Sequence, residues 1–240
     1  MDAYLYTNEG GKSHNEDNAD YSVDVDHSFF VLADGLGGLK KGEVASQHVV
    51  NSLIDYWNRD GLPDDGRAEW LRSRILAANE SLVELQKTQN AKMKSTVVAL
   101  AMDENKAVWG HAGDSRLYYI SDGRVRYVTR DHSVAYKKYQ AGEISFDGIS
   151  VDEDQSSLLM SVGDAERCTP EIIESRTEVK QGDSFLLCSD GAWTYLRSDE
   201  ILVDSLKSST AKEWVELLLT RIIARIRKGS DNLTLLAVKL

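Results

Sequence analysis

Proline and cysteine are both scarce in this chain, with two of each among 240 residues, and each scarcity excludes something. With only Pro63 and Pro170, and no run rich in proline, glycine and serine, nothing marks a linker between domains. Cys168 and Cys188 are too few for a disulfide framework or a thiolate zinc site, and Cys188 sits inside an apolar run where a reduced buried thiol is expected. No uninterrupted apolar stretch approaches the roughly 20 residues needed to cross a bilayer. Met1–Tyr6 lacks the basic region and apolar stretch of a secretory signal, so a cytoplasmic protein without membrane insertion is expected. Positive charge is also short. Twenty-eight Lys and Arg against 39 Asp and Glu give a net charge of −11, which argues against a nucleic-acid binder.

What the chain does have is a repeated theme of an apolar run ending in Asp-Gly. Phe29–Ala33 leads into Asp34-Gly35, and Phe185–Ser189 leads into Asp190-Gly191. Asp17 precedes the strand-like Tyr21-Ser22-Val23, and Asp231 precedes Leu233–Val238. Each dipeptide alone reads equally well as a turn. Together, four carboxylates at strand ends outline an all-oxygen site, whose chemistry suits Mg²⁺ or Mn²⁺ better than zinc. The glycine-rich stretch after Asp34, Gly35 to Gly42, opens a helix and can bring a backbone carbonyl near a cation. It lacks the register of a dinucleotide-binding loop and the lysine-serine pair of a P-loop.

Apolar periodicity places strands near 2–7, 20–25, 28–33, 95–103, 106–112, 116–121, 124–129, 172–177, 184–188 and 233–239. Helical stripes run through Ala45, Val49, Leu53 and Tyr56, through Leu71, Ile75, Ala78, Leu82 and Leu85, and through Trp214, Leu217, Leu218, Ile222 and Ile226. Strands grouped between helices, with 42% hydrophobic residues, suit one large domain spanning 1–240, in which helices pack on stacked antiparallel sheets.

In order along the chain, Asn15-Glu16-Asp17, Asp34-Gly35-x-Gly37-Gly38, Gly42-Glu43-x-Ala45-Ser46, Gly113-Asp114-Ser115-Arg116, Asp131-His132-Ser133, Ser189-Asp190-Gly191 and Asp231-Asn232-Leu233-Thr234 form a set. On that set the chain resembles the type 2C metal-dependent serine/threonine protein phosphatases of the compact bacterial sort. The resemblance implies an α+β fold, a central β-sandwich of two largely antiparallel sheets flanked by helices on both faces, with a flap at about 134–167. It implies two Mg²⁺ or Mn²⁺ ions bridged by Asp34, one also bound by the Gly35 carbonyl and the other by Asp190 and Asp231. Asp114 would help Asp190 hold a weaker third ion. Asp17 would act through the attacking water, with no covalent phosphoenzyme. Phosphorylated proteins, opposed by a serine/threonine kinase, would be the substrates of a monomeric enzyme. The alternative is a catalytically weak relative serving as a phosphoprotein-binding or scaffold module.

The chain also departs from the family. Lys12 stands where relatives carry a phosphate-gripping arginine, and supplies charge without the two-pronged geometry. Leu36 and Leu39 stand where many relatives have histidine. That leaves His14 as the nearest histidine to donate a proton to the leaving group, in competition with solvent or a metal-held water. His111 and His132 read as packing or hydrogen-bonding residues. Lys94-Ser95-Thr96 replaces a Gly-Thr-Thr. The segment 142–166 carries seven acidic residues, including Asp147, Asp152, Asp154 and Asp164, and no Lys or Arg, a pattern that would favour basic phosphopeptides or simply a solvated loop.

Overall fold

A computed structural model describes residues 1–24, 27–36 and 41–240. Two antiparallel sheets lie face to face. One has the order β1 (Asp2–Asn8), β11 (Leu233–Lys239), β10 (Ser184–Cys188), β7 (Arg116–Ser121), β8 (Arg124–Val128). The other runs β2 (Asp17–Val23), β3 (His27–Leu36), β5 (Val97–Asp103), β6 (Ala107–Ala112), β9 (Glu171–Glu174), with the two-residue β4 (Lys94–Ser95) paired to β3.

The strand sequences explain the layering. Alternate residues of a strand face opposite ways, and in β3 both directions are buried. Phe30 and Leu32 join Leu100, Leu117, Phe185 and Leu236 between the sheets, while Phe29, Val31 and Ala33 face the helices α1 (Lys41–Asp60) and α2 (Arg67–Gln89). β11 repeats this, with Leu236 and Val238 between the sheets and Leu235 and Ala237 against α5 (Ser198–Lys207) and α6 (Ala211–Arg225). A strand covered on both faces reads as a continuous apolar run, and for that reason Phe29–Ala33 shows no polar alternation. Helix, sheet, sheet and helix thus stack as four layers.

Several boundaries depart from the sequence reading. β2 begins at Asp17 itself, and its expected end at Val25 lies outside the described residues. The expected strand 95–103 is broken at Thr96, whose N–H turns to the Asp34 carbonyl at 2.8 Å. β9 stops at Glu174, three residues before its expected end. In the helical stripes, Leu217 and Ile226 are about a third exposed, and Ile226 caps α6. Asp190 sits in no turn: it opens the short helix α4 (Asp190–Trp193). The segment 134–167 holds α3 (Val134–Gln140) and a 3₁₀ turn, Asp147–Val151.

That segment is tied down at both ends and in its middle. Ser133 bridges to Leu158, and Ser95 exchanges backbone bonds of 3.0 and 2.8 Å with Val162. Gly163 accepts from Gln86 Nε2 and donates to Asn79 Oδ1, each at 2.7 Å. Some of its acidic side chains have local partners. Lys138 lies 2.9 Å from Asp152 and 2.8 Å from Asp154, and Lys94 lies 2.7 Å from Asp164. Three of the seven acids are thus paired with lysines and Asp147 lies 3.9 Å from Arg197, while Glu143, Glu153 and Glu166 have no ion pair among the described residues.

Candidate active site

Asp17 and Asp34 are directly opposite each other across the β2–β3 pair, so strand register alone sets two carboxylates side by side. Asp17 is buried. Its Oδ2 accepts from Ser189 Oγ and Thr234 Oγ1, both at 2.7 Å, while its Oδ1 is buried without a partner. Burial pushes its pKa up to about 7 against the pull of the two hydroxyls, with the charges of Asp190 and Asp231 adding to the rise.

The backbone of Asp34 is clamped. Its N–H donates to Thr96 Oγ1 at 2.9 Å, and its carbonyl accepts from the Thr96 N–H and, at 2.9 Å, from Ser95 Oγ. Ser95-Thr96 thus supplies the hydroxyl donor and acceptor that orient this carboxylate. One face of Asp34 stays open, and loss of solvation on the others drives its pKa well up, helped by Asp17, Asp190, Asp114 and Asp231. Gly35 is required by space: a Cβ there would lie 2.1 Å from the Gly42 carbonyl oxygen and 2.7 Å from that of Glu16. β3, the start of α1 and the lead into β2 meet backbone to backbone at this point.

Asp190 follows Ser189 at the start of α4. Its Oδ2 accepts from Gln155 Nε2 at 3.0 Å, its Oδ1 is buried and unpartnered, and burial followed by the Asp231 charge raises its pKa. Asp114 is buried, and its pKa is driven well up by burial and by Asp190 and Asp131. Its carbonyl accepts from Trp193 Nε1 at 2.9 Å, which fastens the Asp114 loop to α4. Trp193 in turn lies under the Arg116 guanidinium, 3.6 Å from the ring centre, and Arg116 forms a buried two-pronged pair with Asp131 at 2.8 and 2.6 Å.

Asp231 is exposed. Both its oxygens lie 3.1 Å from Lys12 Nζ, so Lys12, expected at the phosphate, is in this structure the counterion of Asp231. Burial works against the ammonium, but the bond to Asp231 and the charges of Asp231, Asp190 and Asp34 hold its pKa above the ordinary value. Asn232 fixes the chain between Glu9 and Glu16: its Oδ1 accepts from the Glu16 N–H at 2.8 Å, and its Nδ2 donates to the Glu9 and His14 carbonyls, both at 2.9 Å. His14 is held through that carbonyl, and its exposed ring makes no hydrogen bond among the described residues. Leu39, Gly37 and Gly38 lie outside the described residues.

Five carboxylates from five segments therefore converge, with Lys12 as the only ammonium or guanidinium bonded to any of their side-chain oxygens among the described residues. Two buried carboxylate oxygens have no partner among the described residues, and neighbouring anions raise one another's pKa. Such a cluster ionises fully only beside cations, and its all-oxygen donor set fits hard divalent ions.

His111 and His132 form a separate feature. Their rings stack at 4.5 Å and 4°, and burial lowers both pKa values to about 4. His111 Nε2 bonds the Arg130 carbonyl at 2.8 Å, and His132 Nδ1 accepts from the Gly113 N–H at 3.1 Å. They brace the Asp114 loop, in keeping with the packing role expected of them. Glu171 is near both, but parallel rings hold their lone pairs in parallel planes, which cannot converge on one ion.

The sequence reading missed the positioning groups Ser189, Thr234, Thr96, Gln155 and Asn232. All but Gln155 adjoin or lie within segments already singled out, yet nothing local tells a hydroxyl that caps a turn from one that holds a distant carboxylate.

Comparison with known proteins agrees with this geometry. A family model described as protein phosphatase 2C matches residues 6–220. A serine/threonine phosphatase stp of Listeria welshimeri is 31% identical over 254 aligned positions, covering 100% of this chain and 96% of its own. Protein phosphatase PhpP of Streptococcus pneumoniae is 25% identical, covering 100% and 98%. Among solved structures, the serine/threonine phosphatase Stp1 of Staphylococcus aureus superposes with a TM-score of 0.88 at 27% identity, covering 100% of this chain and 95% of that one. The catalytic domain of the phosphatase PstP, solved in complex with two manganese ions, superposes at 0.83 with 24% identity, covering 99% and 96%, a likeness of fold.

Proposed function

The chain belongs to the protein phosphatase 2C family and is a serine/threonine phosphatase of that family, and from this premise we propose how its own residues divide the work. The observation that carries the proposal is the convergence of Asp17, Asp34, Asp114, Asp190 and Asp231 around two unpartnered buried oxygens. Asp34, the Gly35 carbonyl, Asp190 and Asp231 would hold two divalent ions, Mg²⁺ or Mn²⁺, with Asp34 serving both, Gly35 one and the other two aspartates the second. Asp114 would join Asp190 at a weaker third position. The ions, when bound, acidify water, hold the phosphate in line and neutralise charge on the leaving oxygen.

The chain does the rest. Ser189 and Thr234 occupy Asp17 Oδ2 and leave Oδ1 free to accept a proton from the attacking water. The resemblance implies direct attack by water without a covalent phosphoenzyme, and Ser189 is committed to orienting Asp17. Lys12 stands at the rim and lends its charge to the substrate phosphate once Asp231 is engaged by a cation. His14 remains a candidate proton donor to the leaving group, beside solvent.

Phosphoserine and phosphothreonine proteins, opposed by a serine/threonine kinase, are the proposed substrates of a cytoplasmic monomer. Residues 1–240 act as one catalytic domain, with 134–167 beside the site. No helix among the described residues is long and apolar enough to cross a membrane. The reading as a catalytically weak binding module is not favoured, because the full-length relatives are serine/threonine phosphatases and the chain carries every aspartate that the resemblance calls for. The direct test is hydrolysis of an aryl phosphate and a phosphothreonine peptide with added Mn²⁺ or Mg²⁺, and its loss in chelator. Full turnover by metal-stripped protein would overturn the proposal.

A further inference from the structure

A cleft of about 480 Å³ opens between the 3₁₀ turn Asp147–Val151, the chain from Trp193 to Ser198, and the residues around the end of α6. Each wall continues into the site. The 3₁₀ turn leads to Gln155, which bonds Asp190; Trp193 lies in the helix that Asp190 opens; and Arg227 precedes Asp231 by four residues.

The charge of this cleft runs against that of the molecule. Its lining includes Arg116, Arg197, Arg225 and Arg227, with Asp147 the single acid, in a protein of net charge −11. Two of the cations are committed, Arg116 to Asp131 and Arg225 to Glu200. Arg197 is loosely held, 3.3 Å from Asp199 and 3.9 Å from Asp147, with 61% of its side chain exposed. Arg227 is exposed and has no ion pair among the described residues. Of the neighbouring flap acids, Asp152, Asp154 and Asp164 are held by Lys138 and Lys94 and are not available to cancel these charges.

We propose that this cleft receives an anionic side chain of the substrate, a carboxylate or a second phosphate, so that the enzyme prefers phosphoproteins that are acidic near the phosphorylated residue. The proposal rests on the phosphatase reading of the adjoining site. An acidic substrate approaching an acidic protein is repelled overall, and the unpaired Arg227 together with the exposed, weakly paired Arg197 offsets that repulsion locally and steers the encounter.

The test uses phosphothreonine peptides identical except for Glu, Ala, Lys or phosphoserine placed two and three residues to either side. Binding is read by fluorescence anisotropy and turnover as kcat/KM, with an aryl phosphate as the reference substrate. The Glu peptide should exceed the Lys peptide by about five-fold in both readouts, the scale of one or two exposed ion pairs, and the advantage should shrink with added salt. A larger gain for phosphoserine than for Glu identifies a second phosphate as the occupant, and the reverse identifies a carboxylate. The double variant R197E/R227E, changed only at exposed positions, should reverse the preference while leaving aryl phosphate turnover unchanged. Equal affinity for the Glu and Lys peptides, or a preference that survives the double variant, overturns the cleft assignment. Absence of aryl phosphate turnover with Mn²⁺ or Mg²⁺ present would instead overturn the phosphatase reading, while anisotropy would still report on the cleft.

Discussion

Three hydrogen bonds fix the backbone of Asp34, yet its own carboxylate is surrounded by other anions, a placement that costs stability and fits the proposed cation binding. Asp34→Asn should therefore lower turnover by roughly a hundred-fold or more, since even residues that merely orient a metal ligand cost 10–100-fold. In chelator the same variant should melt about 3 °C higher, because about 1 kcal/mol of repulsion is removed. Steady-state kinetics and thermal melts check both, and a variant with near-normal turnover would remove Asp34 from the bridging position. Lys12 poses a different question, because its partner in the structure is Asp231. Lys12→Ala should raise KM for a small phosphoester by about five-fold with little change in kcat, as expected for loss of a charged ground-state contact, and Lys12→Arg should preserve binding. If neither substitution moves KM, the ammonium serves Asp231 alone.

Among the elements, the junction of α4 with the start of β11 governs how far apart Asp190 and Asp231 stand. A Cβ on Gly191 would lie 2.0 Å from the Asn232 carbonyl oxygen, with no flexible side chain to yield. Gly191→Ala should cost about 2 kcal/mol, in the range for overpacking, and lower the melting temperature by about 5 °C. Turnover at 25 °C, where the variant is still folded, should fall further than that cost suggests, because the two carboxylates are pushed apart. Unchanged kinetics would show that the spacing is not critical.

This junction also marks the limit of what the sequence reveals. The long amphipathic helices α1, α2 and α6 and the doubly buried strands were legible because their apolar periods extend over several turns or residues. α4 has four residues, too few to show a period, so Asp190 read as the end of a strand and not as the start of a helix. The hydroxyls that orient Asp17 come from residues 172 and 217 positions away, and their meeting depends on how β2, β10 and β11 are brought together. The pairing of Lys12 with Asp231 spans 219 positions. Residue types at the site were thus visible, while their contacts were not.

At the scale of the whole molecule, the clustered carboxylates set how stability responds to pH. Asp17 titrates near 7 in the fold against 3.8 for an ordinary aspartate, and Asp34, Asp114 and Asp190 are also raised. The folded state therefore holds more protons than the unfolded chain above pH 3.8, and this contribution to stability declines as pH rises toward 7. His111 and His132, lowered to about 4, act in the opposite sense: the unfolded chain takes up their protons as pH falls below 6.5, so they destabilise the fold on acidification. That histidine contribution is common to metal-loaded and metal-free protein. The melting temperature with Mn²⁺ minus that in chelator isolates the carboxylates, and it should widen steadily from pH 4 to pH 7. A difference independent of pH would disconnect the aspartates from cation binding.

The position of β11 has a temporal consequence. It lies inside its sheet between β1 and β10, and the residue two before it is Asp231. While the ribosome is still making α6, β1 has no strand to pair with, and Asp17 lacks the Thr234 hydroxyl. Under the proposed roles of Asp17 and Asp231 the nascent chain therefore stays inactive until β11 emerges and inserts, so synthesis itself delays the onset of activity.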